Sequence, residues 1–275
     1  MNFSSNLRAL YMIAAKDWQQ FWRYPLNAVG YVLQPLVWLT PAFFMGQAFS
    51  VNGRAEGFAA YSGTADYVSF MILGMVLGNF INSVFWGIGY ALKEDMDAGV
   101  MESNWLTPTS RPLMMIGRSI SSLFTTTIIS LVMLLVASLL FGFRPTGSAL
   151  LALAPIIPML IGMYGFGLAF AAIVLQMRDA NTLVDVGSFL VSLFSGTQFP
   201  VQALPRFMLP IALALPLTYG MDAARGILLQ TRTLLPIEIE FGILIVFMFV
   251  MIWFGVKIFT GMERTVRMKG TLGQH

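Results

Sequence analysis

Apolar residues along this 275-residue chain fall into long blocks separated by short polar stretches. Crossing a bilayer takes about 20 apolar residues in a helix, and the blocks predict six crossings. Five are placed at residues 26–48, 67–92, 119–141, 148–177 and 237–259. The other starts near residue 183 and is interrupted by Gly196 and Pro200. The second block carries no charged residue at all. The fourth is long enough to tilt or to bend at Pro155 and Pro158, and Pro35 and Pro41 predict kinks in the first. The expected fold class is an all-α integral membrane protein.

The first 25 residues follow a different pattern. The apolar run 9–15 is too short for a membrane crossing and leads straight into Lys16 and Asp17, unlike a cleaved signal. At helical spacing Leu7, Tyr11, Ala14, Trp18 and Phe21 share one face, and Arg8, Lys16, Gln20 and Arg23 another. Such a helix lies in the membrane interface, and Pro25 closes it.

Composition supports the membrane reading. Apolar residues make up 57% of the chain and charged residues 11%, with a mean hydropathy of +0.75. A soluble domain carries roughly a quarter charged residues, so this chain lacks a solvated coat. There is no cysteine, and the single histidine is His275. Thiolate and imidazole chemistry are therefore excluded as themes, and no catalytic, cofactor-binding or metal-ligating set is expected. The formal charge of +3 fits basic residues held at an anionic cytoplasmic leaflet rather than nucleic acid. With the N-terminus inside, Arg54, Arg144, Arg206, Arg225 and Arg232 fall outside and the other eleven of the 16 basic residues fall inside. Both termini are expected in the cytoplasm.

Two segments are not explained by hydropathy. Residues 93–111 read KEDMDAGVMESNWLTPTSR, an acidic stretch where basic residues should dominate. Glu94, Asp95, Asp97 and Glu102 supply charge for steering, and Trp105 and Leu106 an apolar knob for docking. By physics alone this is either a docking element or a solvated turn. Residues 195–226 carry Pro200, Pro205, Pro210 and Pro216, which forbid one continuous helix although the intervening residues are apolar. Short half-helices of this kind suit a re-entrant hairpin in the outer leaflet.

Both segments resemble ABC type-2 exporter permeases. Glu94, Asp97, Gly99, Glu102, Leu106, Thr107 and Pro108 are similar to that family's coupling segment, with Val100 where the family often has Thr. The Ser195-Gly196…Phe199-Pro200…Leu204-Pro205 phrase resembles the family's ending of the fifth span. So does Leu215-Pro216…Thr218-Tyr219…Asp222…Arg225 its next motif. The resemblance covers essentially the whole chain. It implies an interface helix at 1–25, a six-span domain at 26–262 and a cytoplasmic tail at 263–275. Within the domain, 93–110 would be the coupling loop and 196–226 the re-entrant segment.

The resemblance further implies that Glu94, Asp97, Gly99, Glu102, Leu106, Thr107 and Pro108 engage a cytoplasmic ATPase. Phe199, Pro200, Leu204, Pro205, Pro216, Tyr219, Asp222 and Arg225 would form an extracellular gate. No GxxxxGK[ST] phosphate loop occurs in the chain. ATP and Mg are therefore expected on a separate nucleotide-binding subunit, and the chain itself is not expected to be an enzyme. The expected partners are that subunit, a second copy or paralogue of this permease, and the bilayer of the cytoplasmic (inner) membrane, but no nucleic acid. Family members export drugs, lipids and glycan-lipids. An ion- or proton-coupled secondary transporter is the alternative, for which Asp185 is the one intramembrane acid in view.

Several smaller features have two readings each. Gly74 and Gly78 form a GxxxG, a close contact either between subunits or within one, and Gly162, Gly165 and Gly167 pose the same choice. Phe80, Phe85, Trp86 and Tyr90 line a path or pack. Asp185 is either functional or an interfacial residue paired with Arg178. Asp222 and Arg225, three apart on a helix, predict a local ion pair, as a basic residue of the first helix (Lys16 or Arg23) does with the loop acids.

Overall fold

A computed structural model describes residues 3–23, 25–48, 50, 55–100, 103, 111–174, 177 and 180–269. Among these the secondary structure is helical, and no strand occurs. The amphipathic α1 (Phe3–Arg23) is followed by α2 (Pro25–Ala48), whose first residue is the expected proline. A short α3 (Glu56–Ser62) precedes α4 (Tyr67–Val84), a π-turn (Phe85–Gly89) and α5 (Ala91–Asp97). Then come α6 (Arg111–Phe141), α7 (Ala149–Val174) and α8 (Asn181–Phe194). The chain finishes with α9 (Leu209–Ala214), α10 (Pro216–Leu229) and α11 (Ile237–Lys269).

Five of these stretches are long and apolar enough to cross a membrane: Val29–Ala48, Tyr67–Gly89, Leu113–Phe141, Ala149–Val174 and Ile237–Arg264. They match five of the six predicted blocks. The remaining block is the 14-residue α8, whose helix stops at the glycine expected to interrupt it. Pro155 and Pro158 lie inside α7 without ending it.

Burial ranks the long helices. α4 and α7 are largely enclosed, with Ile72, Ile81, Val84, Met159 and Ala171 fully buried, whereas α2, α6 and α11 turn one face inward. A central cluster joins Leu77, Phe85, Met163, Phe170, Leu244 and Phe247. A second joins Leu36 and Leu39 of α2 to Ile72, Val76, Met133 and Ala137. The outward faces of α6 and α11 are apolar, with Leu135, Leu139, Phe249 and Trp253 exposed, as hydrocarbon contact requires.

The close helix contacts run through glycine. A Cβ on Gly165 of α7 would stand 2.6 Å from the Met251 carbonyl carbon of α11, and one on Gly255 would overlap the Gly165 carbonyl. Gly162 faces Phe247, and Gly167 faces Val84. Gly74 is filled by the Thr197 carbonyl and the Arg225 guanidinium. The first glycine of the GxxxG therefore packs within the subunit. Phe80 and Phe85 are core residues, while Trp86 is exposed.

α1 lies along α6. Ile13 meets Gly117, and the Trp18 ring stands edge-on to Phe124 at 5.2 Å. Tyr11, on the same apolar face as Trp18, is exposed, while Ile13 and Trp18 make the contact with α6.

Candidate functional site

The acidic segment begins as a continuation of α4. The backbone of Tyr90 N–H donates to Phe85 carbonyl at 3.0 Å, five residues back, so α4 runs through the π-turn into α5. A π-turn inserts one residue and re-aims the following helix. It fits here because Gly87 and Gly89 leave room for Ser122 and Phe170. One turn earlier, Ser83 and Ser122 share a hydrogen bond of 2.5 Å and Thr126 donates to Ser83 at 2.8 Å, fastening α4 to α6.

α5 stops at Gly99 by a Schellman ending. Gly99 has φ +68 and its N–H donates to Met96 carbonyl at 2.9 Å, while Val100 N–H donates to Asp95 carbonyl at 3.0 Å. Gly99 thus makes a bend, and a Cβ there would meet nothing of this chain's described residues within 4 Å. Glu94 is exposed, and Asp97 is held by Lys93 at 3.1 Å and by the Tyr90 hydroxyl at 3.4 Å. Glu102, Leu106, Thr107 and Pro108, together with Trp105, lie outside the described residues.

Two residues not singled out from sequence fix this turn to the bundle. Arg118 Nη2 donates to both Asp95 carboxylate oxygens at 2.7 and 2.8 Å, and its Nη1 donates to Ala91 carbonyl at 3.1 Å. Nearby, Arg111 of α6 pairs with Glu263 of α11 at 3.8 Å. Of the cations acting on Asp17 of α1, Arg118 has the larger influence, ahead of Lys16; Lys16 and Arg23 are themselves exposed. Burial raises the Asp17 carboxyl above 3.8; Arg118 and Lys16 oppose the rise, and Asp95 and Glu94 add to it. The expected pairing of Lys16 or Arg23 with the loop acids is not among the ion pairs of the described residues; Asp95 is held by Arg118 instead.

At the opposite end, α8 stops by the same device. Gly196 has φ +71 and donates to Leu193 carbonyl at 3.2 Å, and Thr197 N–H donates to Ser192 carbonyl at 3.3 Å. Pro200 then precedes a 3-10 turn, Val201–Ala203, and Pro210 and Pro216 occupy the first turns of α9 and α10. Leu215 is extended ahead of Pro216, as the proline ring demands. The Thr218 hydroxyl donates to Ala212 carbonyl at 2.6 Å and Tyr219 to Leu213 carbonyl at 2.8 Å, so α10 caps the last carbonyls of α9.

The two αL glycines give a paired expectation. Gly99→Ala should cost about 1 kcal/mol, the penalty of a side chain in the left-handed region. Gly196→Ala should cost more, because its Cβ would also press on Val201 Cγ2 at 2.6 Å. Unfolding midpoints of the two variants in detergent check the order.

Arg225 is the hub of this end. It is buried; Nη1 donates to Gly196 carbonyl at 2.6 Å, and Nη2 to Thr197 carbonyl at 2.7 Å and Phe70 carbonyl at 3.3 Å. The guanidinium lies 3.6 Å over the Phe70 ring. It does not form the direct ion pair with Asp222 that i,i+3 spacing suggests, because the carbonyls ending α8 claim it. Asp222 instead accepts from Leu234 N–H, and Glu240 accepts from Leu235 N–H at 3.1 Å, the two carboxyls facing one another under the α10–α11 turn. Pro200 is also buried; Phe199, Leu204, Pro216, Tyr219 and Asp222 are half-buried, and Pro205 is exposed. Asp185 is exposed on α8, and Arg178 lies outside the described residues.

No group of His, Cys, Asp or Glu among the described residues is arranged to hold a metal. What the two ends have in common is helix termination at a glycine followed by arginine fastening. A comparison with curated proteins finds no match. The family model for ABC-2 type transporters matches residues 8–229, from α1 to the end of α10. With five apolar span-forming helices and a match over most of its length, the chain belongs to the ABC-2 type transporter family and is a multi-pass membrane permease.

Proposed function

We propose that this chain is the transmembrane subunit of an ATP-driven exporter that moves an amphipathic substrate outward across the cytoplasmic membrane. ATP hydrolysis takes place on a separate nucleotide-binding subunit, and two permease chains, identical or paralogous, enclose the pathway. Both termini are cytoplasmic, α8 completes a sixth crossing, and residues 196–226 form a re-entrant hairpin at the outer gate. Glu94, Asp97 and Gly99 with Glu102, Leu106, Thr107 and Pro108 engage the ATPase.

The observation that supports this most directly is the neck of the cytoplasmic turn. α5 is continuous with α4 through the π-turn, and the Arg118–Asp95 pair clamps it to α6. A push on α5 is therefore delivered to two spanning helices and, through the Ile13–Gly117 contact beside Arg118, to α1. A stiff link of this kind is what converts closure of an ATPase into helix movement. Both side chains are mostly buried, so removing one partner leaves the other an uncompensated charge.

The test is ATP-dependent uptake of candidate amphiphiles into inside-out vesicles holding the chain with its ATPase. Arg118→Asp and Asp95→Arg should each cut transport while the protein still inserts, and the double exchange should restore part of it. Transport that continued at full rate without any ATPase would refute the proposal.

A further inference from the structure

The spacing of Asp222 and Arg225 calls for an ion pair, yet the carbonyls ending α8 hold both terminal nitrogens of Arg225, and its Nε is left over. Asp222, Arg225, Ser195, Thr231, Phe70 and Met221 line one small cavity of about 10 Å³. Three polar atoms of that lining have no protein hydrogen-bond partner although they are buried: Arg225 Nε, Ser195 Oγ and Thr231 Oγ1. Arg225 is 3% exposed, Ser195 0% and Thr231 9%. A buried polar group without a partner costs about 1–3 kcal/mol, and three around one cavity are not left unmet at random.

We infer that one water molecule is bound in this cavity and joins Asp222 to Arg225. The size decides the occupant: about 10–15 Å³ is the least that admits one water, and the molecule needs two to four polar partners. Here it has four. The Arg225 Nε–H donates to the water, the water donates to the Asp222 carboxylate, and the Ser195 and Thr231 hydroxyls complete the tetrahedron as donor or acceptor. Asp222 keeps Leu234 N–H on its Oδ2 throughout.

The water is thus the shared ligand of the end of α8, the middle of α10 and the α10–α11 turn. A charge pair bridged by one water is nearly as favourable in enthalpy as a direct contact. Unlike a direct contact, it lets the segments shift by a fraction of an ångström without leaving a bare charge. This inference does not rest on the direction or substrate of transport.

Brief X-ray irradiation of the full chain in nanodiscs tests it, because hydroxyl radicals made from a bound water label the side chains beside that water. Met221, 1% exposed, lines the cavity; Met159 and Met163, 0% and 1% exposed, sit in the apolar core. Met221 should be oxidised well ahead of the other two, and Ser195→Ala with Thr231→Val should bring it down to their rate. Equal rates in the unaltered chain would overturn the inference, and so would a Met221 rate that the double substitution leaves unchanged. Loss of Met221 labelling when bromide replaces chloride would also overturn it, by showing that the site takes an anion. If the double variant does not fold, the comparison of the three methionines in the unaltered chain decides.

Discussion

Arg225→Leu is expected to lower stability by about 3–5 kcal/mol, the range for removing one member of a buried, hydrogen-bonded charge cluster. Leucine is close in apolar bulk but donates nothing. The carbonyls of Gly196, Thr197 and Phe70 lose their donor together. Those of Gly196 and Thr197 follow directly on α8, where no further helical turn supplies N–H groups, so water or disorder must take over. Asp222 is at the same time left with no cation close by on α10. Arg225→Lys should recover only a fraction, since one ammonium cannot serve three carbonyls and also lie flat on Phe70. Denaturation midpoints in mixed micelles give the ranking, with accumulation in the membrane as a second readout. A midpoint for Arg225→Leu equal to the parent's would mean that Arg225 does not hold this end together.

The features legible in the sequence were those set by local chemistry. Length and hydropathy placed five spans to within a few residues at most ends, because a bilayer imposes one length on all of them. Gly196, Pro210 and Pro216 mark real helix ends, because αL and the proline ring act on the chain's own backbone. What stayed hidden depends on residues far apart in sequence. Arg118 is one of sixteen basic residues with nothing local to mark it, and its pairing with Asp95 spans 23 positions. Arg225 reaches back 155 positions to Phe70. Its spacing from Asp222 suggested the wrong partner, since helical periodicity counts neighbours on one helix and ignores carbonyls arriving from another. Which residues of α1 meet α6 is hidden in the same way: Ile13 seats on Gly117, and no property of α1 reveals that.

Gly165→Val should have an effect of comparable size by a different route. α7 and α11 share the most extensive helix contact in the bundle, and Gly165 and Gly255 are where their backbones meet. A Cβ at Gly165 stands 2.6 Å from the Met251 carbonyl carbon and 2.7 Å from Ile252 N. Those are main-chain atoms of a continuous helix and cannot swing aside as a side chain does. The two helices must separate, and separation opens voids along Gly162–Phe247 and beside Leu168. Overpacking of this kind costs about 1–3 kcal/mol, and more where backbone must move. In a membrane the loss is not softened by a hydrophobic drive to reclose, because lipid is as apolar as the surfaces it replaces. Gly255→Ala should behave alike, as its Cβ would overlap the Gly165 carbonyl. Gly242→Ala on the same α11 provides the contrast: its Cβ would meet nothing within 4 Å, so the gain in helix propensity should leave stability equal or higher by up to about 1 kcal/mol. If Gly165→Val and Gly242→Ala gave the same midpoint, glycine-mediated contact between α7 and α11 would not be what sets their spacing.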